Sequence, residues 1–425
     1  MSELITEELA FSEGMPFPPY LSQSRISNYY TNQSRFKGDY NNNNYIKIKN
    51  LQGGIDYFRV MTENYYKLET LKMQGLVLNE KPIFSVRNNL EYSTILTMLV
   101  NNSGFWLAFI QAFRNFSSLG TGALYLSFQN GQPKINSINP TNIFKIVDAN
   151  NIDNVTCYVL AQPLYKRDYK NNEYTKIERM RLLFHYKGYY IERIFNYNDA
   201  GYLRELVSEN RFETGLSDFA VFTFENCPAT DEVFGISDYE NIKDIVSAYE
   251  QILTLINAVL IKNINPIVQV PVGVLIENEK TGQIEGPVNG SLLEVENGEI
   301  KYITYDMQVA DLSSYLGNLS NEIGVQSELG KTFLTGEFTS NLSGEAIRSL
   351  MKSPLDKIGR SIDQIDDVLK RLFVQVLGLK GIPCVISDIC IKWRDGITET
   401  QDTGAETIPT EMTEITEDLG GVVSE

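Results

Sequence analysis

The sequence predicts an α+β chain in which long amphipathic helices frame β-rich segments. Three observations carry this expectation. Residues 237–263 repeat apolar side chains at helical spacing, residues 120–230 change to strand-like alternation, and two further helical patterns begin at Asp311 and Ser343. Spacings of three and four mark one face of a helix, whereas alternation marks a strand with one face covered.

At 425 residues the chain is long enough for two or more domains with cores of their own. It carries 54 acidic and 37 basic side chains, a formal net charge of −17. That balance argues against wrapping nucleic acid through phosphate contacts, which needs clustered Lys and Arg, but not against handling DNA without gripping it. Cys157, Cys227, Cys384 and Cys390 are too sparse for a disulfide framework and read as thiols of a reducing compartment. Met1 to Ala10 is acidic and lacks both the basic start and the apolar run of a signal peptide. The longest apolar stretches are interrupted by Asn or Thr, so no membrane span is expected.

Residues 1–49 are polar and rich in Asn, Tyr and Ser, which reads as an extended or loosely ordered arm. Helical patterns follow over Tyr57–Gln74, ending at Gly75, and over Leu90–Phe116, where Ile95, Leu96, Leu99, Trp106, Ile110 and Phe113 share the apolar positions. At Gly120-Thr121-Gly122 the period changes. Leu124, Leu126 and Phe128 alternate, and Asn130-Gly131 supplies a hairpin turn because both residues tolerate positive φ. Ile135–Val147, Val155–Tyr165, Arg181–Tyr190 and Ala220–Phe224 continue as strands.

The longest helix begins at Ser237-Asp238-Tyr239-Glu240, where Ser237 and Glu240 have the spacing of a capping box. Ile242, Ile245, Tyr249, Ile252, Ile256 and Val259 form its apolar stripe, and Asn265-Pro266 stops it, because a residue before proline leaves the α region. At 1.5 Å per residue it is a rod of roughly 40 Å. Ile267–Val274 and Leu292–Ile303 then read as strands of a small β element. The next helix carries Leu312, Tyr315, Leu316, Leu319 and Ile323 on one face, with Gly330 as its terminating residue. Gly317 and Gly324 either admit a close neighbour or merely weaken this helix. Lys331–Leu342 reads as a loop, and Ser343 caps a third helix with Ile347, Leu350, Met351, Ile358, Ile365, Val368, Leu369, Leu372 and Val376 on its apolar face, which Ser353-Pro354 is expected to kink near its start. Cys384–Trp393 is a closing strand, and Glu399–Glu425 is an acidic tail with eight carboxylates and no Lys or Arg.

No chemistry of catalysis emerges. Gly324-Val325-Gln326-Ser327-Glu328-Leu329-Gly330-Lys331-Thr332 approaches a phosphate-binding loop, but five residues separate its glycines where four are needed, and it follows a helix. His185 is the single histidine and lies in a strand pattern without a second ligand nearby. Asp363, Asp366 and Asp367 read as a solvated helix face. Neither a catalytic residue, a metal site nor a cofactor is expected.

The order of elements resembles that of the tailed-bacteriophage portal proteins of the SPP1-type family. Phe234-Gly235-Ile236-Ser237-Asp238-Tyr239 leading into the long helix, Asn341-Leu342-Ser343-Gly344-Glu345-Ala346-Ile347 opening the third helix, and Ile391-Lys392-Trp393-Arg394-Asp395 closing the chain are similar to that family's sequences. The resemblance covers about residues 50–398. It implies a dodecameric ring at one capsid vertex, with a wing (50–235 and 343–397), stem helices (236–265 and 307–330), a clip (266–306) and a tunnel loop (331–342). It implies that Lys331, Thr332, Phe333, Thr335, Glu337, Phe338 and Asn341 face DNA, and that Ile242, Ile245, Tyr249, Ile252, Ile256, Leu312, Leu316 and Leu319 line stem or subunit contacts, with Ser237, Glu240 and Ser343 as helix caps. Double-stranded DNA, the major capsid and scaffolding proteins, the terminase large subunit and a head–tail adaptor are the implied partners, with assembly in the host cytoplasm and residence in the virion. Only a short or absent crown is expected after residue 398. Two alternatives stay open: another head–tail connector or collar ring without a DNA-gating loop, and a nucleotide-dependent enzyme built on the near-Walker stretch.

Overall fold

The computed structural model describes residues 4–49, 54–129, 131–168, 173–198, 200–264, 267–272, 276–277, 284–285, 292–296, 299–303, 309–336 and 344–393. Helices and strands are interleaved along the chain as the α+β class requires.

The N-terminal segment departs from the expected loose arm, because it contains an 18-residue helix, α1 (Tyr20–Lys37). Gly38 ends this helix at φ 82°, where glycine is favoured, and donates its N–H to the carbonyls of Ser34 and Arg35. The helix is polar along its length, so no apolar period announced it. Its buried apolar side chains are Ile26 and Tyr29, and Ile26 packs with Phe11 and Phe17 ahead of it. A two-stranded ribbon follows, β1 (Tyr45–Lys49) paired antiparallel with β2 (Ile55–Arg59). The ribbon takes the start of the helix expected from Tyr57. That helix, α2 (Tyr65–Leu78), begins at Asn64, whose side chain accepts from the Lys67 N–H at 2.9 Å, and it runs through Gly75.

After β3 (Ile83–Val86), the helix expected over 90–116 is two: α3 (Leu90–Asn102) and α4 (Phe105–Leu119), bent by 70°. Gly104 lies between them at φ 81°, a left-handed conformation that cannot continue a right-handed helix. Phe105, Phe109, Phe113 and Phe116 of α4 are all fully buried and anchor the main core.

β4 (Thr121–Gln129) and β5 (Gln132–Ser137) form the expected hairpin, with Gln129 opposite Gln132. β6 (Ile143–Asp148), β7 (Asn151–Asp168), β8 (Glu173–His185), β9 (Tyr189–Tyr197) and β10 (Leu203–Glu213) build a five-stranded antiparallel sheet in the order β10-β9-β8-β7-β6. The single strand expected over Arg181–Tyr190 is the turn from β8 to β9, made at Gly188 with φ 86°. β10 was not legible, since its exposed sequence LRELVSENRFE has no apolar alternation. β11 (Val221–Glu225) adds to the other side of β4. One face of the large sheet packs on Ile5, Phe11, Phe17 and Ile26, and the other meets Ala123 and Val221 of the smaller sheet.

The long helix α5 (Tyr239–Ile264) is followed by short strands β12 (Ile267–Pro271), β13 (Ile276–Glu277), β14 (Ile284–Glu285), β15 (Leu292–Val295) and β16 (Lys301–Ile303). β12 pairs parallel with β15 and antiparallel with β16. α6 (Val309–Gln326) returns alongside α5. A one-turn helix α7 (Lys331–Thr335) precedes α8 (Gly344–Gly378), a 35-residue helix with Pro354 inside it. β17 (Ile389–Lys392) closes on β3, with Ile389 opposite Val86. The main core joins α2, α3, α4, the start of α5 and α8.

Tyr239–Ile261 is long and apolar enough to cross a membrane, with a mean hydropathy of 1.4, although the sequence reading expected no such helix. Its first half is held in the core by Tyr239, Ile242 and Val246, whereas only 28% of its apolar window is buried in all.

Candidate functional site at the junction of the long helices

The start of α5, the end of α6 and the middle of α8 meet at one buried polar cluster. The segment leading into α5 is fixed by backbone contacts. Ile236 N–H bonds to the Asn226 carbonyl at 2.8 Å, Asn226 N–H to Gly120 at 2.8 Å, and Asp238 N–H to Ser117 at 3.0 Å. Gly120 (φ 87°) and Gly235 lie against one another so closely that a Cβ on either would overlap the other's carbonyl oxygen. Ser237 accepts from the Tyr239 N–H at 3.1 Å and donates to the Ser118 carbonyl at 2.6 Å. The reciprocal half of the expected capping box is replaced. The Glu240 carboxylate pairs with Lys243 at 2.5 Å, one turn ahead, because this cation competes for it.

Asp238 sits at the centre. Its Oδ2 accepts from Ser117 Oγ at 2.6 Å, and its Oδ1 accepts from Asn226 Nδ2 at 3.0 Å and lies 3.1 Å from Lys357 Nζ. Lys357, from α8, also donates to Glu69 Oε1 of α2 at 3.0 Å and to the Ser327 carbonyl just past α6 at 2.9 Å. One ammonium thus faces two carboxyl groups, and all three side chains are buried. Burial pushes Glu69 up to about 8 against the pull of Lys357, with Asp238 adding to the rise. For Lys357 burial works in the opposite sense, yet the Asp238 and Glu69 carboxyls hold its ammonium above the ordinary range. With Glu69 protonated near neutral pH, the remaining Lys357–Asp238 pair is neutral overall, which is the low-energy way to bury these charges.

The turn after α6 is gripped by the same helix. Glu328 stands at φ 60° and Gly330 at φ 71°, and Gly330 N–H reaches back to the Gly324 carbonyl at 2.8 Å. Gly330 is therefore not the residue that ends α6; the helix stops at Gln326, and Gly330 precedes α7. Ser353 Oγ donates to the Glu328 carbonyl at 2.8 Å, and Arg360 pairs with the Glu328 carboxylate. A Cβ on Gly324 would overlap the Lys331 backbone, whereas Gly317 has open space around it. Close approach is thus required at one of the two glycines, and the approaching segment is the chain's own turn. The near-Walker stretch is this helix–turn–helix connection, so it lacks the strand from which a phosphate loop departs.

Four of the residues expected in a DNA-facing loop, Lys331, Thr332, Phe333 and Thr335, lie on α7. Phe333 is half-buried with Lys72 5.2 Å from its ring centre, and Leu334 beside it is buried. Glu337, Phe338, Asn341 and the cap Ser343 lie outside the described residues. Among the helix-face residues, Ile242 is fully buried in its own chain's core, and Ile245 and Tyr249 pack on that core, Tyr249 edge-on to Tyr65 at 5.4 Å. Ile252, Ile256, Leu312, Leu316 and Leu319 are half-buried. Tyr315, on the expected apolar face of α6, is exposed, as are Leu255, Leu260 and Ile261 on α5, which the expected stripe did not include. Periodicity identifies apolar faces but not which of them the same chain covers.

Asp366 is not simply solvated: its Oδ1 accepts from Trp393 Nε1 at 2.9 Å, and its other oxygen pairs with Lys370 at 2.5 Å. This bond ties the closing strand to α8. His185 is buried between the rings of Tyr125 and Tyr190, and neither ring nitrogen has a partner among the described residues. Burial lowers it to about 4. A depressed histidine adds stability that is complete above its unfolded value near 6.5 and is lost as pH falls through 4, about 3 kcal/mol in all. His185→Phe is therefore expected to narrow the loss between pH 7 and pH 4 by that amount. Urea midpoints at both pH values check this, and an unchanged difference between variant and parent would refute it.

A family model described as "Phage portal protein, SPP1 Gp6-like" matches residues 22–416. No match is found among curated proteins. Among solved structures, a chain from "Neck of empty GTA particle computed with C6 symmetry" aligns with a TM-score of 0.50 at 12% identity, over 91% of this chain and 88% of that one. A chain from "Virion of native gene transfer agent (GTA) particle" aligns with a TM-score of 0.46 at 11% identity, over 91% and 87%.

Proposed function

The chain belongs to the SPP1-type phage portal family, and from that premise we propose that copies of it close into a ring, a dodecamer, at one capsid vertex. In this reading the ring is the connector between head and tail in the neck of a phage-like particle. Double-stranded DNA passes through it during packaging and ejection, and the terminase and a head–tail adaptor dock on it. Its role is structural; no step of catalysis is assigned to it.

The observation that supports this reading best is the pairing of α5 with α6. Two long helices run together, carry the short strands β12–β16 at one end, and meet α8 at the gripped turn at the other. We assign α5 and α6 to the stem, β12–β16 to the clip, residues 331–342 to the tunnel loop, and the remaining α+β body to the wing. Contacts between subunits then fall on exposed Leu255, Leu260, Ile261 and Tyr315 beside half-buried Ile252, Ile256, Leu312, Leu316 and Leu319. A heterologous contact of this kind closes by rotation. A net charge of −17 suits a conduit, since a wall that releases few counterions offers DNA no deep binding well.

Negative-stain electron microscopy of the purified chain should show closed rings. Leu260→Glu with Ile261→Glu, at positions outside the chain's own core, should leave a folded monomer with an unchanged melting temperature. A parent protein that stays monomeric at all concentrations would overturn the proposal.

A further inference from the structure

The β1–β2 ribbon presents one fully exposed face made of three cross-strand pairs: Tyr45 with Arg59, Lys47 with Tyr57, and Lys49 with Ile55. Three of these six side chains are cationic and none is acidic, in a chain whose carboxylates outnumber its cations 54 to 37. Tyr45 and Tyr57 are 51% and 59% exposed, too open to be serving the chain's own core. Lys47 Nζ lies 5.7 Å from the Tyr57 ring centre, so the cation and the aromatic form one surface. Asp56, the acid within the ribbon, lies on the opposite, half-buried face. Glu250 of α5, close to the ribbon, is engaged by Tyr40, by Asn41 Nδ2 at 2.7 Å and by the Glu63 N–H at 3.1 Å. Among the described residues the ribbon is the whole of its sheet, and no further strand pairs with either edge.

We propose that this cationic–aromatic face of β1–β2 is a binding site for duplex DNA. Strands about 4.8 Å apart make a ribbon narrow enough for a major groove about 12 Å wide. Lys47, Lys49 and Arg59 meet phosphates, and the Tyr45 and Tyr57 hydroxyls donate to phosphate oxygens, contacts that position without reading sequence. The ribbon packs beside the middle of α5, the helix assigned above to the stem, and gives an otherwise repulsive protein one local grip on DNA. It rests on the portal reading for the source of that DNA, but its chemistry is tested without it.

Fluorescence anisotropy of the full chain with a random-sequence duplex is the test. With about three phosphates neutralised per copy, the slope of log K on log salt is expected near −2.7, a loss of about 40-fold between 50 and 200 mM salt. Lys47→Gln, Lys49→Gln and Arg59→Gln together should weaken binding at 50 mM salt at least 10-fold and flatten the slope, with ring formation and melting unchanged. Any one of three results overturns the site: no duplex binding by the parent, equal binding by the variant, or tighter binding of a single strand. A fourth is cation-dependent capture of a synthetic peptide of residues 399–425 in place of the duplex, which would identify an acidic protein segment as the occupant. Rings that form normally while DNA binding fails would reject this inference and leave the portal reading standing.

Discussion

Lys357→Met should destabilise the protein by about 3–5 kcal/mol, the usual result of removing one member of a buried charge cluster. The loss is not chiefly that of a contact. Met fills the stem of the lysine but leaves Asp238 buried without its cation and takes the donor from Glu69 Oε1 and the Ser327 carbonyl. A second substitution isolates the cause. Glu69→Gln mimics the protonated acid, so alone near pH 7 it should cost no more than about 1 kcal/mol. The pH dependence gives an independent readout. A carboxyl raised to about 8 binds a proton in the folded state that the unfolded chain releases near 4.5. Stability from Glu69 is thus full below about 4.5 and is lost as pH rises through 8. Glu69→Gln should remove that decline. Thermal melts of the two single variants and the double variant across this range check the scheme, and a Lys357→Met protein as stable as the parent would refute it.

Gly235→Ala should cost above about 4 kcal/mol and is expected to abolish soluble expression. The added carbon would overlap the Gly120 carbonyl oxygen and the Asn226 backbone, none of which can rotate away. Those groups also carry the hydrogen bonds that aim the start of α5. Gly317→Ala is the control, since it meets open space inside α6 and should raise stability by about 0.5–1 kcal/mol. Comparing soluble yield and melting temperature of the two proteins tests the close crossing directly.

The long helices, the 130–131 hairpin and the closing strand were legible because each has its own local signal: period, turn chemistry or a stop at proline. α1 and β10 were not, because their burial depends on partners remote in sequence and their own side chains are largely polar. The same limit applied at the junction. Ser237 could be read as a cap from its neighbours alone, but Lys357 carries no mark in sequence that it meets Glu69 and Asp238 across 288 and 119 positions. Its place on the inward face of α8, among Pro354, Ile358 and Ser361, was the available hint. Gly324 is the reverse case: its sequence allows both a close approach and a weakened helix, and the position of the Lys331 backbone decides for the first.

The pairing of β3 with β17 has a consequence for biosynthesis. Phe84 finds its ring partners in Phe105 and Trp106 soon after synthesis, but Phe373 and the neighbouring strand Ile389–Lys392 are made only after β4 to α8 have been translated. At ribosomal rates of about 5–20 residues per second, that leaves an unzipped apolar edge for roughly 15–60 s. During this interval nascent chains on one polysome offer each other the same edge. A holdase that covers this edge should therefore raise the yield of this protein.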